Sequence, residues 1–363
     1  MRLLLIHGGF GAGGAEKIVS MIATHRLEMG DEVSVLGFDM PDGGSYFPYP
    51  ETAKLIVAKQ GSGLAPLSKL QSIQHAIRQS KPDLVLSFLT KINVLSLLAA
   101  MRGGPPVVIS ERNNPRAQKA NPVWRHAQNV LARRAAAVVM QTERARCDLP
   151  RAIANRATVI PNPCAPYTNL TVAPDANGLR LAAVGRLDQQ KGFDLLLKAM
   201  PAVRDTYPKV RLTIQGEGPE RPRLEALRDK LGLAEIVSLP GASPAPGAWL
   251  QTADILVVPS RFEGFPNVIA EAAVSGLPVI AFDCDYGPRE IITDGKNGLL
   301  VAPNDIPALS RSILRLIGDP ALRAQMAKAS GPTRAALAPD QVLGTWDQVI
   351  GSVMKEETQL LDA

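Results

Sequence analysis

A chain of 363 residues has room for two domains of ordinary size, each with its own core. Hydrophobic residues at 46% and charged residues at 20% exclude a wholly disordered chain, and aromatics at 4% point to cores of Val, Ile, Leu and Ala. The net charge of +6 favours anionic partners such as nucleotide phosphates, lipid pyrophosphates or an anionic membrane surface. Cys147, Cys164 and Cys284 are too widely spaced for a disulfide framework or zinc site, which points to a reducing cytoplasm. The apolar run at residues 3–6 is too short for a signal-peptide core, and no window approaches the roughly 20 apolar residues that span a bilayer. Any membrane contact is therefore expected to be peripheral.

Residues 2–7 read as a buried strand, followed by Gly8-Gly9-Phe10-Gly11-Ala12-Gly13-Gly14, a helix over 15–29 stopped by Gly30, and a strand over 32–37. Gly9-x-Gly11-x-x-Gly14 matches a dinucleotide-binding fingerprint, with Asp39 where a ribose-binding acid would sit, so an NAD(P)-dependent oxidoreductase is one reading. A loop so rich in glycine satisfies many patterns by chance. His7 reads as a core histidine with its ring satisfied. After a strand over 53–58, residues 67–79 form an amphipathic helix whose Lys69, His75 and Arg78, with Lys81, make either a solvated face or a contact for anionic lipid.

Strand 83–87, helix 92–102 and strand 106–110 lead to Glu111-Arg112-Asn113-Asn114-Pro115-Arg116, a polar loop at a strand's carboxyl end. It is a candidate contact surface for a sugar or pyrophosphate; the alternative pairs Glu111 with Arg112 or Arg116 on the surface. Helix 123–134, strand 137–141, a short helix after Thr142 and strand 158–160 complete a first domain, and the aperiodic segment 164–178 reads as a linker.

A second sheet begins at 179–184 and runs into Gly185-Arg186-Leu187-Asp188-Gln189-Gln190-Lys191-Gly192, where Arg186 and Lys191 flank a strand-to-helix loop. Two fixed cations there can neutralise charge on a leaving diphosphate. Strand 210–215 ends in Gly216-Glu217-Gly218-Pro219, and Trp249 with Leu250 reads as core. Strand 255–258 precedes Ser260-Arg261-Phe262-Glu263-Gly264-Phe265-Pro266-Asn267 and a helix that Pro266 fits as first residue. Glu263 in that loop and Glu271 in that helix can face one pocket beside the helix start, where N–H groups favour phosphate and carboxylates favour the hydroxyls of a sugar or ribose. The alternative leaves both on the surface. Asp283-x-Asp285 imitates a metal-binding carboxylate pair, and the Gly287-Pro288 turn is read as backbone laid against a ligand. Strand 299–301, helices from 305 and 320, and a last helix over 339–357 containing Trp346 follow.

Glu263-x7-Glu271, with Gly264-Phe265-Pro266-Asn267 inside it and Ser275-Gly276-Leu277-Pro278-Val279-Ile280-Ala281 after it, resembles the signature of glycosyltransferase family 4. These are retaining enzymes of GT-B architecture. The resemblance implies an α/β fold of two Rossmann-like domains facing across a cleft: an acceptor domain at 1–165, completed by 339–363 crossing back, and a donor domain at 166–338. It implies diphosphate binding by Arg186 and Lys191, ribose binding by Glu271, sugar-hydroxyl binding by Glu263 and the backbone of Phe265, Pro266 and Asn267, and a place near the base for Glu217. Gly13 and Gly14 resemble a loop close to the donor phosphates or acceptor. Glu111, Arg112 and Asn113 are implied acceptor contacts, with Arg112 standing where relatives often carry a histidine that touches the donor sugar.

The implied reaction moves a hexosyl or N-acetylhexosaminyl group from a UDP-sugar to a saccharide or lipid-pyrophosphate-linked saccharide, at the inner face of the cytoplasmic membrane, with no metal, cofactor or nucleic acid. Ser110-Glu111-Arg112-Asn113-Asn114-Pro115 and Gly287-Pro288-Arg289-Glu290 look most like members that add galactose or N-acetylgalactosamine in bacterial polysaccharide assembly. A sugar-nucleotide sensor without catalysis would share the same residues.

Overall fold

The computed structural model describes residues 1–11, 13–58, 65–101, 103–112, 114, 122–167, 178–243, 245 and 247–361. It forms two compact units, one of Met1–Pro163 with Asp340–Ala363 and one of Cys164–Pro339. Of the expected linker, 164–178, residues 168–177 lie outside the described residues.

The first unit is built on a parallel sheet of β1 (Arg2–Ile6), β2 (Glu32–Gly37), β3 (Lys54–Val57), β4 (Leu84–Phe88), β5 (Val107–Ser110), β6 (Ala137–Met140) and β7 (Ala157–Val159), in the order β3-β2-β1-β4-β5-β6-β7. Its core gathers Leu3, Leu5, Val33, Val35, Leu84, Leu86 and Phe88 with Val342, Leu343, Trp346, Ile350 and Val353 of the last helix, Pro339–Leu361. The C-terminal helix thus belongs to the first unit. Arg26 fastens it there, donating to Asp347 at 2.8 Å and to Asp31 at 2.6 Å.

The second unit holds β8 (Arg180–Val184), β9 (Arg211–Gln215), β10 (Val237–Gly241), β11 (Ile255–Val258), β12 (Val279–Phe282) and β13 (Gly298–Val301), all parallel, in the order β10-β9-β8-β11-β12-β13. Strand residues alternate between two cores. Ile255, Val257, Ile280 and Phe282 join the helices Phe193–Thr206 and Ile306–Gly318 on one face; Leu256, Val258, Val279 and Ala281 join the helix Asn267–Val274 on the other. Covered faces explain why these strands read as continuous apolar runs.

In each sheet the direction of strand addition reverses once, between β1 and β4 and between β8 and β11. Such reversals open a crevice at the strands' carboxyl ends, where ligands of doubly wound folds bind. Two short helices, Pro288–Ile291 and Gly331–Ala336, were not expected. Among the described residues no helix is long and apolar enough to cross a membrane.

Candidate functional site

In the second unit, the loop after β8 carries Arg186 and Lys191 and the loop after β11 carries Glu263, so both sides of the reversal contribute. Gly192 makes their approach feasible: it adopts φ +66°, and a Cβ there would collide with the carbonyl oxygen of Pro259. The loops are joined along their length. Arg261 N–H donates to Gln190 O at 2.8 Å, and Gln190 Nε2 donates to Phe262 O at 3.0 Å. Arg261 Nη1 and Nη2 take the two oxygens of Asp194 at 2.9 Å each, a bidentate pair. Burial alone would raise the Asp194 carboxyl; the Arg261 hydrogen bonds and charge outweigh it and hold the group below its ordinary value.

Inside this clamp, Lys191 Nζ donates to Glu263 Oε1 at 2.7 Å and Ser260 Oγ donates to the same oxygen at 2.6 Å. Glu263 is buried, so it is no surface loop residue, and it fixes the Lys191 ammonium at the mouth of the reversal. Glu271 is only 9% exposed, in the helix that follows the same loop. Pro266 is one step earlier than expected, capping that helix with φ −80° while Asn267 opens it. Phe265 and Pro266 are buried and Asn267 is half-buried.

Arg186 lies at the opposite extreme, its side chain 71% exposed and donating to Asp188 Oδ2 at 2.6 Å. Glu217 is brought beside the same turn, since Leu187 N–H donates to Glu217 O at 2.8 Å, but its exposed carboxylate takes Arg221 at 2.7 Å. The Asp283 carboxylate is engaged by Arg289. Between these groups the buried Cys284 thiol is pushed up to about 12, by burial first and then by the Glu263 charge. No group of three His, Cys, Asp or Glu gathers as a metal site among the described residues.

The first unit's glycine loop carries an obstacle to a dinucleotide. The Glu16 carboxylate folds over the helix start, where a Cβ on residue 13 would collide with it. Burial raises this carboxyl above its ordinary value. A pyrophosphate seated by Gly13 and Gly14 would have to displace it. Asp39 is exposed.

Two expectations in this unit are corrected. His7 is fully buried, yet neither ring nitrogen has a hydrogen-bond partner among the described residues, and burial lowers it to about 4. Glu111 and Arg112 are buried, which overturns the reading of them as a pair on the surface: the Glu111 carboxylate accepts from Thr90 Oγ1 at 2.5 Å and Gln128 Nε2 at 3.2 Å. The polar run conceals this because its cover comes from elsewhere in the chain. Asn113, Pro115 and Arg116 lie outside the described residues.

Lys69 is not simply solvated, its Nζ standing 4.6 Å from the Phe38 ring centre. A groove of about 650 Å³ in the second unit, lined by Leu179, Tyr207, Val210 and Ile317, opens at the start of β8, away from the Lys191 loop.

A family model described as "Glycosyl transferases group 1" matches residues 173–331, and one described as "Glycosyl transferase 4-like domain" matches residues 13–163. An exopolysaccharide phosphotransferase of Streptomyces coelicolor is 30% identical over 288 residues, 76% of this chain and 29% of the relative. The amylovoran biosynthesis glycosyltransferase AmsD of Erwinia amylovora is 25% identical over 355 residues, 96% of this chain and 99% of the relative. The solved structure of Anabaena HepE in complex with UDP-glucose has a TM-score of 0.79 at 21% identity, covering 97% of this chain and 100% of its own; that likeness is one of fold. The chain spans 29% and 54% of the lengths of the first two curated relatives it matches.

Proposed function

The chain belongs to glycosyltransferase family 4, and from that premise we propose that it moves a hexosyl or N-acetylhexosaminyl group from a UDP-sugar to a saccharide acceptor in polysaccharide or lipopolysaccharide assembly, with retention at the anomeric carbon. The observation that carries the reading is the Lys191 ammonium, fixed by Glu263 beneath a crevice that topology opens for a ligand. A lysine held in place meets developing phosphate charge without reorganising, which is where electrostatic catalysis is largest. HepE, of like fold, is solved with UDP-glucose, which supports the choice of nucleotide.

In this reading Lys191 and Arg186 receive the diphosphate, Glu271 the ribose hydroxyls, and Glu263 with the backbone of Phe265 to Asn267 the sugar hydroxyls. The bond from the anomeric carbon to the leaving phosphate oxygen breaks, and the acceptor oxygen bonds to that carbon on the same face. The acceptor's proton passes to the leaving diphosphate, so no side-chain base is required. A lipid-linked acceptor fits the first unit, where Val123 and Val130 are exposed on the helix Pro122–Leu131 with Arg125, and Arg133 and Arg134 follow it, a surface suited to peripheral contact with an anionic bilayer. Co-sedimentation with anionic but not neutral vesicles tests that contact; equal behaviour with both removes it.

Binding of UDP, GDP, ADP and NAD to the purified chain, with EDTA present, tests the donor site. UDP binding that Glu271→Ala weakens, followed by turnover of a UDP-sugar, is the expected result. NAD binding with no response to UDP would overturn the reading in favour of the glycine loop, and UDP binding without turnover of any UDP-sugar would favour a sensor.

A further inference from the structure

At the carboxyl ends of β4, β5 and β6, the Arg112 side chain is enclosed in the first unit with the residue 6% exposed. Its Nη1 donates to Asn162 Oδ1 at 2.9 Å, and Gln141 Nε2 donates to the same oxygen at 2.9 Å. Its Cζ lies 5.4 Å from the Trp346 ring centre and 5.5 Å from that of Phe88. The rings and Asn162 together set the orientation of the guanidinium. Burial pulls Arg112 down to about 9, still well above neutrality, so it keeps its charge.

That charge is only half used. Among the described residues Nε and Nη2 are buried without a hydrogen-bond partner, and Trp346 Nε1, on the adjoining ring, is likewise unpartnered. Among the described residues Arg112 makes no ion pair; the neighbouring Glu111 carboxylate accepts from the Arg112 backbone N–H at 2.9 Å, from Thr90 and from Gln128, so its charge steadies the guanidinium without filling the fork. Nε–H and Nη2–H are not two arbitrary donors. They lie parallel along one edge of the guanidinium, the edge that takes both oxygens of a carboxylate or phosphate. A buried cation with its fork unfilled is costly to fold, and a bound water would satisfy single donors without offsetting the charge.

We propose that Arg112, with the Trp346 indole N–H beside it, forms an oxyanion subsite in the first unit that takes a carboxylate or phosphate edge-on through Nε and Nη2. The anion is either the carboxylate of an acidic sugar or a phosphate of a sugar-linked substrate; naming these sources rests on the glycosyl-transfer reading, whereas the subsite itself does not. Asn162 is its positioning residue, holding the opposite edge so that the fork faces away from it.

The test is a set of thermal unfolding titrations of the full chain with sodium glucuronate, sodium phosphate, and sodium chloride at matched ionic strength. We expect glucuronate or phosphate at about 10 mM to raise the wild-type midpoint by roughly 3 °C beyond chloride. Arg112→Met is expected to remove the rise and Arg112→Lys, which keeps charge but loses the fork, to reduce it. Should Arg112→Met not fold, Trp346→Phe removes the indole N–H while leaving a smaller aromatic ring in the core, and is expected to lower the response. A response to glucuronate alone assigns the sugar carboxylate, and one to phosphate alone assigns the phosphate. A wild-type midpoint that no oxyanion moves beyond chloride, or a rise that survives in Arg112→Met, overturns the subsite. UDP binding in the same samples separates the two claims: wild-type chain that binds UDP but ignores the oxyanions sinks the subsite alone, and chain that ignores UDP sinks the donor reading alone.

Discussion

Lys191 and Glu263 stand 72 residues apart in sequence and meet at 2.7 Å, with Ser260 on the same carboxylate oxygen. The pair is both a structural tie between two loops and, in the proposed reaction, the seat of the charge that meets the leaving group. Lys191→Ala is expected to lower turnover of the UDP-sugar by at least about 10²-fold. It also strands a buried carboxylate, so denaturant unfolding is expected to show a loss of about 3 kcal/mol. Turnover near that of wild type would refute the catalytic role, whatever happens to stability.

Glu271 lies further along the chain, within the helix Asn267–Val274, and its proposed ligand is the ribose. Removing a hydrogen bond to a charged group costs about 1.5–3 kcal/mol, so Glu271→Ala should raise the Kd for UDP by roughly 10- to 100-fold. Inorganic pyrophosphate lacks the ribose and should bind the variant as it binds wild type. Equal losses for both ligands would move Glu271 from ribose recognition to loop support.

At Gly192 the Lys191 loop runs against the backbone of Pro259, at the start of the loop that carries Glu263. An Ala there must adopt left-handed backbone at about 1 kcal/mol and push its methyl group into the Pro259 carbonyl. Gly192→Ala should therefore lower the unfolding midpoint and weaken UDP together, as calorimetric titration and urea unfolding would show. Unchanged UDP affinity would mean that the joint between the loops does not set the site.

His7 gives the first unit a pH dependence of definite sign. Its folded value, about 4, lies below the ordinary 6.5, so the unfolded chain binds the proton more readily. The stability it withholds from protonation is whole above pH 6.5 and drains as pH falls from there toward 4. Between pH 7 and pH 5 this amounts to about 2 kcal/mol. His7→Leu should flatten that part of the stability curve measured by urea unfolding; an unaltered slope would mean that the ring is solvated in solution.

Much of the fold was legible because buried parallel strands announce themselves as short β-branched runs, such as Ile255 to Val258, bounded by glycine and proline. The loops of Lys191 and Glu263 were legible for the same reason, each being a polar interval between a strand and a helix. Their mutual pairing was not: which loops become neighbours depends on strand order, and no local pattern encodes that β8 lies beside β11. The Arg261–Asp194 clamp escaped notice on the same grounds. Glu111 and Arg112 were misread as surface because a run of polar residues looks solvated until Trp346, far along the chain, is seen to cover it. The helices Pro288–Ile291 and Gly331–Ala336 are too short to show a period.

The helix Pro339–Leu361 completes a core whose other members lie before residue 164. Synthesis runs from the amino end, so the first unit must wait with Leu3, Leu5, Leu84 and Phe88 incompletely covered while the whole second unit is made. During that interval the nascent chain presents an apolar groove of the shape of an amphipathic helix, open to chaperones and to its own neighbours on the polysome. The second unit, contiguous in sequence, waits for no later segment. Order of emergence and order of completion are therefore reversed: the unit that begins the chain is the last to close.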